Sequence, residues 1–333
     1  MTPAEYRPEV SVVVPTYRRP ELLARCLERL IGQRLDASRF EIIIVDDGHD
    51  PRTQRLVEAA ARGTPVPLTC LRPSTGRGPA VARNAGWRAA RGVVVAFTDD
   101  DTLPATDWLE AGLAALQRHP DWSALSGRVE VPLAPPAPRR PSDHELMTMG
   151  LSRAEFVTAN AFVRRAALER VQGFDERFTR AWREDSDLQF RLMRDAGPVG
   201  RAEAAVVQHP ARAERWGVCL RQQRNSFFEA LLFKKHPVLY RERIDPGPPW
   251  RYYAIVGSSA FAVAAFAAGS QRIGGAALAV AACGALWVAL QRLRPTSRAP
   301  AHVLEMLATS AVIPFLSVYW RLRGALRFRV LFF

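Results

Sequence analysis

Five carboxylates stand at the ends of two apolar runs in this chain. Ile42-Ile43-Ile44-Val45 leads into Asp46-Asp47-Gly48, and Val93-Val94-Val95-Ala96-Phe97-Thr98 leads into Asp99-Asp100-Asp101. Like charges at such spacing repel unless a cation or a set of donors stands among them. Three acids in a row suit Mg2+ or Mn2+, which take carboxylate oxygens together with diphosphate oxygens. Side chains alternate along extended backbone, so Asp99 and Asp101 share a face and Asp100 points away. Asp46 and Asp47 have the chemistry to accept from a base N–H or from ribose hydroxyls. The plainer account of all five is turn and cap chemistry, with Asp50 capping one helix and Asp99–Asp101 capping a helix over 105–118. Between the two groups lies Gly76-Arg77-Gly78-Pro79-Ala80-Val81-Ala82-Arg83-Asn84-Ala85-Gly86. Glycines before a helix let phosphate approach the backbone, and Arg83 offers a charge-assisted bond. Farther on, Trp182-Arg183-Glu184-Asp185-Ser186-Asp187 supplies an acid able to serve as general base for a hydroxyl within hydrogen-bond reach. The same acids also suit a helix N-terminus, whose dipole favours negative charge.

The elements that must position these groups alternate. Strand-like 10–14 precedes a helical pattern over 20–34. Then follow strand 41–46, helix 52–62, strand 66–72, helix 78–91, strand 93–98 and helix 105–118. Near-continuous apolar strands suit a sheet covered by helices on both faces, and repeated βα units predict an α/β fold with a mostly parallel sheet. Ligands of such sheets bind at the carboxyl ends of the strands, where the five acids stand. Residues 132–141, PLAPPAPRRP, are too rich in proline for helix or central strand and read as a mobile excursion over that edge. Helical patterns return near 164–172 and 184–196, with a turn at Gly173 between them. Residues 212–236 read as a basic amphipathic helix.

The charge balance is +13, from 46 basic and 33 acidic side chains. From Arg251 to the C-terminus there are nine Arg and one acid, Glu305, a balance of +8 around apolar segments. That distribution fits the flanks of membrane segments and speaks against nucleic acid as a partner. Residues 252–270 and 273–290 carry no charge and are each about long enough to cross a ~30 Å hydrocarbon core. Only Gln271-Arg272 separates them, which predicts an antiparallel hairpin; a buried hairpin of a soluble protein is the alternative. Arginines at 251, 292, 294 and 298 place both ends of the hairpin in the cytosol by the positive-inside rule. A third apolar segment, 303–320, contains Glu305 and Pro314 and precedes four arginines; it reads as interfacial or re-entrant. Four cysteines without paired spacing indicate reduced thiols rather than a disulfide framework or zinc site. The first ten residues lack an apolar signal-peptide core.

Taken in order, VVVPTYRRPELLARCL, IVDDG, GPAVARNAGWRAARG, AFTDDDTLPATDWL, TANAFVRR, GFDERF and WREDSDLQFRL resemble the family-2 glycosyltransferases of GT-A fold over residues 9–236. The resemblance implies inverting transfer from a nucleoside-diphosphate sugar. It implies that Pro15, Tyr17, Asp46, Asp47, Arg83 and Asn84, with Asp99 and Asp100, hold the nucleotide sugar. It puts Asp99 and Asp101 in the DxD metal positions, with His209 as a further ligand, and a divalent ion, Mn2+ or Mg2+, as cofactor. Asp185 takes the place of the catalytic base, beside Glu184. Arg221-Gln222-Gln223-Arg224-Asn225 keeps the arginine of the Gln-x-x-Arg-Trp motif of processive synthases but neither its leading Gln nor its Trp, so transfer of a single sugar is expected. The expected organisation is a cytosolic GT-A domain over 1–240 and a membrane region over 251–333, at the cytoplasmic membrane. The expected acceptor is lipid-linked or membrane-proximal. A polyprenyl-phosphate sugar synthase, or a non-catalytic sugar-nucleotide-binding scaffold, are the competing expectations.

Overall fold

The computed structural model describes residues 7–74, 78–133 and 139–332. Gly76 and Arg77 of the glycine-rich stretch, and 134–138 of the proline-rich excursion, lie outside the described residues. The chain packs as two compact units: residues to Pro132 together with Met149–Pro210, and Leu133–Thr148 together with Ala211–Phe333.

The first unit is built on one sheet. Its strands are β1 (Val10–Thr16), β2 (Phe40–Asp46), β3 (Leu68–Leu71), β4 (Val94–Thr98), β5 (Leu103–Pro104), β6 (Ala124–Glu130), β7 (Asn160–Arg164) and β8 (Val199–Gln208). Their order is β3-β2-β1-β4-β7-β6-β8-β5. The βα repeat produces the expected parallel half, β3-β2-β1-β4. The other half is mixed, because β7 runs antiparallel to both β4 and β6. No short βα unit feeds β7; the chain reaches it after the excursion from 131 to 159, which leaves its direction free.

The parallel strands are apolar on both faces because both are covered. Val12, Val14, Ile42 and Ile44 point into one core, and Val13, Ile43, Val45 and Phe97 into the other. Helices α1 (Pro20–Ile31), α2 (Pro51–Arg62), α3 (Pro79–Ala89) and α4 (Trp108–Arg118) follow β1, β2, β3 and β5. The first three begin on proline, whose fixed φ and missing N–H suit the first helical position. Asp50 does cap α2, accepting from the Arg52 N–H at 2.9 Å. Helix α3 lies close on the sheet because residue 86 is glycine: a Cβ there would stand 2.3 Å from Val13 Cγ1. Next in chain order, α5 (Asp143–Met149) belongs to the second unit except for its last residue, whereas α6 (Arg165–Val171) and α7 (Glu184–Asp195) belong to the first.

The second unit is helical: α8 (Val218–Gln222), α9 (Ser226–Lys235), α10 (Pro237–Arg243), α11 (Trp250–Ala267), α12 (Gln271–Leu293) and α13 (Pro300–Phe328). The expected amphipathic helix over 212–236 is divided into α8 and α9 by a 3-10 turn at Gln223–Asn225. Both group with the C-terminal helices rather than with the sheet. Helices α11 and α12 form the expected hairpin, turning at 268–270, where Gly269 has φ +78°. Among the described residues, two helices are long and apolar enough to cross a membrane, Gln271–Leu293 and Pro300–Phe328. The second, which includes the 303–320 segment expected to be interfacial or re-entrant, is one helix continuous through Pro314.

Candidate active site

Register aligns the acids. Thr16 at the end of β1 pairs with Asp46 at the end of β2, and β4 runs parallel on the other side of β1. Both acidic turns therefore leave the same edge of the sheet. Asp46 is fully buried. Its Oδ1 accepts from the Gly48 N–H at 3.1 Å, and its Oδ2 faces Arg72 Nε at 3.5 Å. Burial pushes its pKa up, against the pull of the Gly48 N–H and Arg72. Asp47 Oδ2 accepts from the Gly78 N–H at 2.9 Å, tying the end of β2 to the start of α3. Pro15 lies near the end of β1 and Tyr17 just beyond it; Tyr17 is exposed, with the Arg18 guanidinium 5.4 Å from its ring centre.

In the second turn Asp100 points inward, as strand alternation requires. It accepts from Thr16 Oγ1 at 2.7 Å and faces Arg19 Nη1 at 3.4 Å. Burial, reinforced by the charge of Asp101, pushes its pKa up to about 6. Expected among the nucleotide-holding groups, Asp100 instead pins the turn to β1, while Asp99 turns to Arg83 and Asp101 to His209. The alternative in which these acids cap the next helix does not hold, since residue 107 occupies the N-cap of α4.

Asp99, Asp101 and His209 come together although 110 positions separate the first from the last. Their ligand atoms lie within 4.8 Å of one another. His209 Nε2 stands 3.5 Å from Asp101 Oδ1, and the buried Nδ1 of the same ring has no partner among the described residues. Two carboxylates and an imidazole form a donor set that suits Mn2+ or a similar divalent ion. The expected three-residue set therefore fits a metal.

A buried chain of charge links this cluster to α7. Arg83, on α3, gives Nη2 to Asp99 Oδ1 at 2.8 Å and Nη1 to Glu184 Oε1 at 3.0 Å. Burial works against its charge, but Asp99, Asp185 and Glu184 together hold its pKa above the ordinary value. One guanidinium does not neutralise three carboxylates, and desolvation pushes Glu184 and Asp185 up. Glu184 is almost wholly buried, with Oε2 unpartnered among the described residues. Expected as a catalytic acid, it is placed to position Arg83 rather than to touch a substrate. Asp185 is half-buried at the first turn of α7. Thr158 holds both of its oxygens, with N–H to Oδ2 at 3.2 Å and Oγ1 to Oδ1 at 2.8 Å.

Asn84 also departs from expectation. Its Nδ2 donates to the Phe174 carbonyl and to Glu176, and its Oδ1 accepts from Trp87 Nε1 and the Phe174 N–H. Buried and fully engaged, it fixes the turn at Gly173 against α3 and has no capacity left for a nucleotide. Sequence reasoning assigned no role to Arg19, Arg72 and Thr158. Each stands in or beside a motif that was read for other residues: Arg19 in VVVPTYRRPE, Thr158 in TANAFVRR, Arg72 at the end of β3.

Comparisons with known proteins bear on the family and the fold. The family model described as glycosyl transferase family 2 matches residues 11–178, half of the chain. A relative in Haloferax volcanii, glycosyltransferase AglE, is 30% identical over 223 residues, covering 65% of this chain and 71% of its own. Validoxylamine A glucosyltransferase of Streptomyces hygroscopicus is 29% identical over 222 residues, 56% of this chain and 51% of the relative; the match spans about half of that longer protein. Among solved structures, the mannosyltransferase PcManGT of Pyrobaculum calidifontis, in complex with GDP-Man and Mn2+, superposes with a TM-score of 0.60 at 22% identity. That alignment covers 96% of this chain and 88% of PcManGT, and the fold is the GT-A fold. The chain belongs to glycosyltransferase family 2.

Proposed function

We propose that the protein is a metal-dependent, inverting glycosyltransferase that moves one sugar from a nucleoside-diphosphate donor to an acceptor hydroxyl. The observation that carries this reading is the buried line Asp99–Arg83–Glu184, which runs from a metal-suited cluster to the start of α7, where Asp185 is held by Thr158. A divalent ion held by Asp99, Asp101 and His209 would neutralise charge on the departing diphosphate. Asp46, Asp47, Pro15 and Tyr17 stand at the edge where the nucleotide would lie. Asp185 takes the proton of the acceptor hydroxyl. The freed oxygen bonds to the anomeric carbon as the bond from that carbon to the diphosphate breaks, so one displacement inverts the centre. A carboxyl raised by burial suits this task, since a base works best with its pKa near the operating pH. Arg83 keeps Asp99 and Glu184 in place. PcManGT, in complex with GDP-Man and Mn2+, lends support to a sugar-nucleotide donor and to a metal.

The α11–α12 hairpin and the arginines that flank it support attachment to the cytoplasmic membrane, with the catalytic unit in the cytosol and a lipid-linked or membrane-proximal acceptor. The test is nucleoside-diphosphate release by purified protein across a panel of donors, with Mn2+ and with EDTA. Release from one donor that EDTA abolishes is the expected result. Asp185→Asn is expected to lower turnover by about 10²–10⁴-fold while donor binding persists. Full turnover by this variant on polyprenyl phosphate would replace hydroxyl attack with attack by a lipid phosphate. Donor binding without nucleoside-diphosphate release, with acceptor lipids present, would leave the scaffold reading.

A further inference from the structure

Of the two helices apolar enough to cross a membrane, α13 leaves exposed an apolar stripe that a water-soluble helix would bury. Its buried side mixes Met306, Ile313 and Val318 with Thr309, Ser310, Ser317, Arg321 and Gly324. Its outer side carries Leu304, Val312, Phe315, Tyr319, Leu322 and Leu326, which are 41–80% exposed. These positions recur at helical spacing along one stripe more than six turns long. On the membrane association proposed above, the outer face meets lipid. That does not say whether the helix stands across the bilayer or lies along it.

The partners on the buried side decide this. Near its start, Glu305 Oε1 accepts from the Gly217 N–H at 2.7 Å. Farther along, Arg292 at the C-terminal end of α12 donates to Thr309 and Ser310, both at 2.9 Å. The Arg224 guanidinium lies 5.7 Å from the Trp320 ring centre. At residue 324 a Cβ would come within 2.4 Å of the Phe227 carbonyl oxygen. At its end the Phe328 carbonyl accepts from Lys234 Nζ at 2.7 Å. One stretch, 217–235, thus lies along α13 from beginning to end, and it carries Arg221, Arg224, Glu229, Lys234 and Lys235. A 29-residue helix is ~43 Å long at ~1.5 Å per residue. Standing across the bilayer, it would draw that charged stretch into hydrocarbon, where charged side chains are costly.

We infer that α13 lies flat in the surface of a bilayer with anionic headgroups, its apolar stripe sunk to the headgroup–acyl boundary. The inference rests on the membrane association proposed above. The exposed Arg298, Arg323, Arg327 and Arg329 provide the charge complement. The one acid of the helix, Glu305, is engaged by the Gly217 N–H. Amphipathic helices with this division bind through buried apolar area together with attraction to anionic lipid. The hairpin of α11 and α12 is then the element that enters the hydrocarbon, and α13 at Thr309–Ser310 sits at the level of Arg292, where α12 ends.

The test uses full-length protein with Cys70 and Cys283 replaced by alanine, leaving the buried Cys26 and Cys219. Single cysteines at Leu304, Phe315 and Leu326, and at Val280 in the middle of α12 as a control, receive an environment-sensitive fluorophore. The protein is reconstituted in phosphatidylcholine vesicles with and without phosphatidylglycerol, and depth is read with nitroxide lipids quenching at shallow and deep positions. The expected result is one common shallow depth for the three α13 sites and a deep position for Val280. A deep Phe315 with Leu304 and Leu326 on opposite faces would overturn the inference, as would three sites quenched only from water. Lack of lipid quenching at Val280 would overturn the membrane association itself, a separate outcome. Removing phosphatidylglycerol is expected to weaken quenching at Leu326 but not at Val280; equal quenching in both lipids would overturn the anionic preference.

Discussion

The sheet unit and helix α13 differ in what they expose. In the sheet unit Val12, Val13, Ile42, Ile43 and Phe97 are buried, and the five acids of the two turns stand at strand ends. In α13 Thr309, Ser310, Ser317 and Arg321 are buried beside Met306, Ile313 and Val318, and leucines and aromatics face outward. On the membrane association proposed above, each arrangement answers the medium its surface meets. Water rewards burial of apolar area, whereas in lipid the outer face gains nothing from polarity and buried polar groups must find partners within the protein. The difference teaches that inside and outside in this chain are defined by the solvent and not by one hydropathy rule.

Two aromatic truncations would break that comparison if it were wrong. Phe162 is fully buried, with its ring centre 4.9 Å from that of Trp108. Phe162→Ala is expected to cost about 3–5 kcal/mol of sheet-unit stability. Phe315→Ala, at the 42% exposed outer face of α13, is expected to change stability in detergent by less than about 0.5 kcal/mol. Thermal melting of both variants in one detergent checks the pair; similar losses would mean that the outer face of α13 is core.

A smaller effect is expected where α13 meets α9. Gly324→Leu forces a side chain into the Phe227 backbone, an overpacking that costs about 1–3 kcal/mol. Hydrogen exchange is expected to quicken in α9 and in the C-terminal half of α13 and to stay unchanged in β1, β2 and β4. Quickening in the sheet as well would mean that the two patterns are not independently stabilised.

What could be read beforehand follows from where the determining contacts lie. The parallel strands were legible because their apolar runs stop at acids, a local signal, and so was the pairing of Asp99 with Asp101 on one face. Alternation likewise gave the inward turn of Asp100. The inward placement of Glu184 and the structural use of Asn84 were not legible: both depend on partners far away in the chain, Arg83 for one and Phe174 and Trp87 for the other. The antiparallel β7 escaped for a similar reason, since a strand that follows a long excursion carries no local mark of its direction. For α13, hydropathy reads composition alone, while the pairing with 217–235 bears on its depth.

Each unit also buries a charged group, and the two differ in what pH can do to them. Arg321 is buried in the helical unit, with Asp245 at 3.8 Å and the Phe332 ring centre at 4.2 Å; a guanidinium has no accessible neutral form. Asp100 in the sheet unit does have one. Its carboxyl is pushed up to about 6, chiefly by burial, against about 3.9 in an unfolded chain. Between these values the folded state holds a proton that the unfolded state has released. Stability of the metal-free protein is therefore expected to fall as pH rises from about 4 to about 6, by about 1–3 kcal/mol for this group. Asp100→Asn carries no such charge and is expected to flatten that part of the profile, even if it loses stability elsewhere with the Thr16 and Arg19 contacts. Urea unfolding in EDTA across that pH range, for the unmodified protein and the variant, measures the slope. An equal slope in both would assign the effect to other carboxyls and mean that Asp100 is ionised across that range in the folded protein, with Arg19 and Thr16 sufficient to hold its charge.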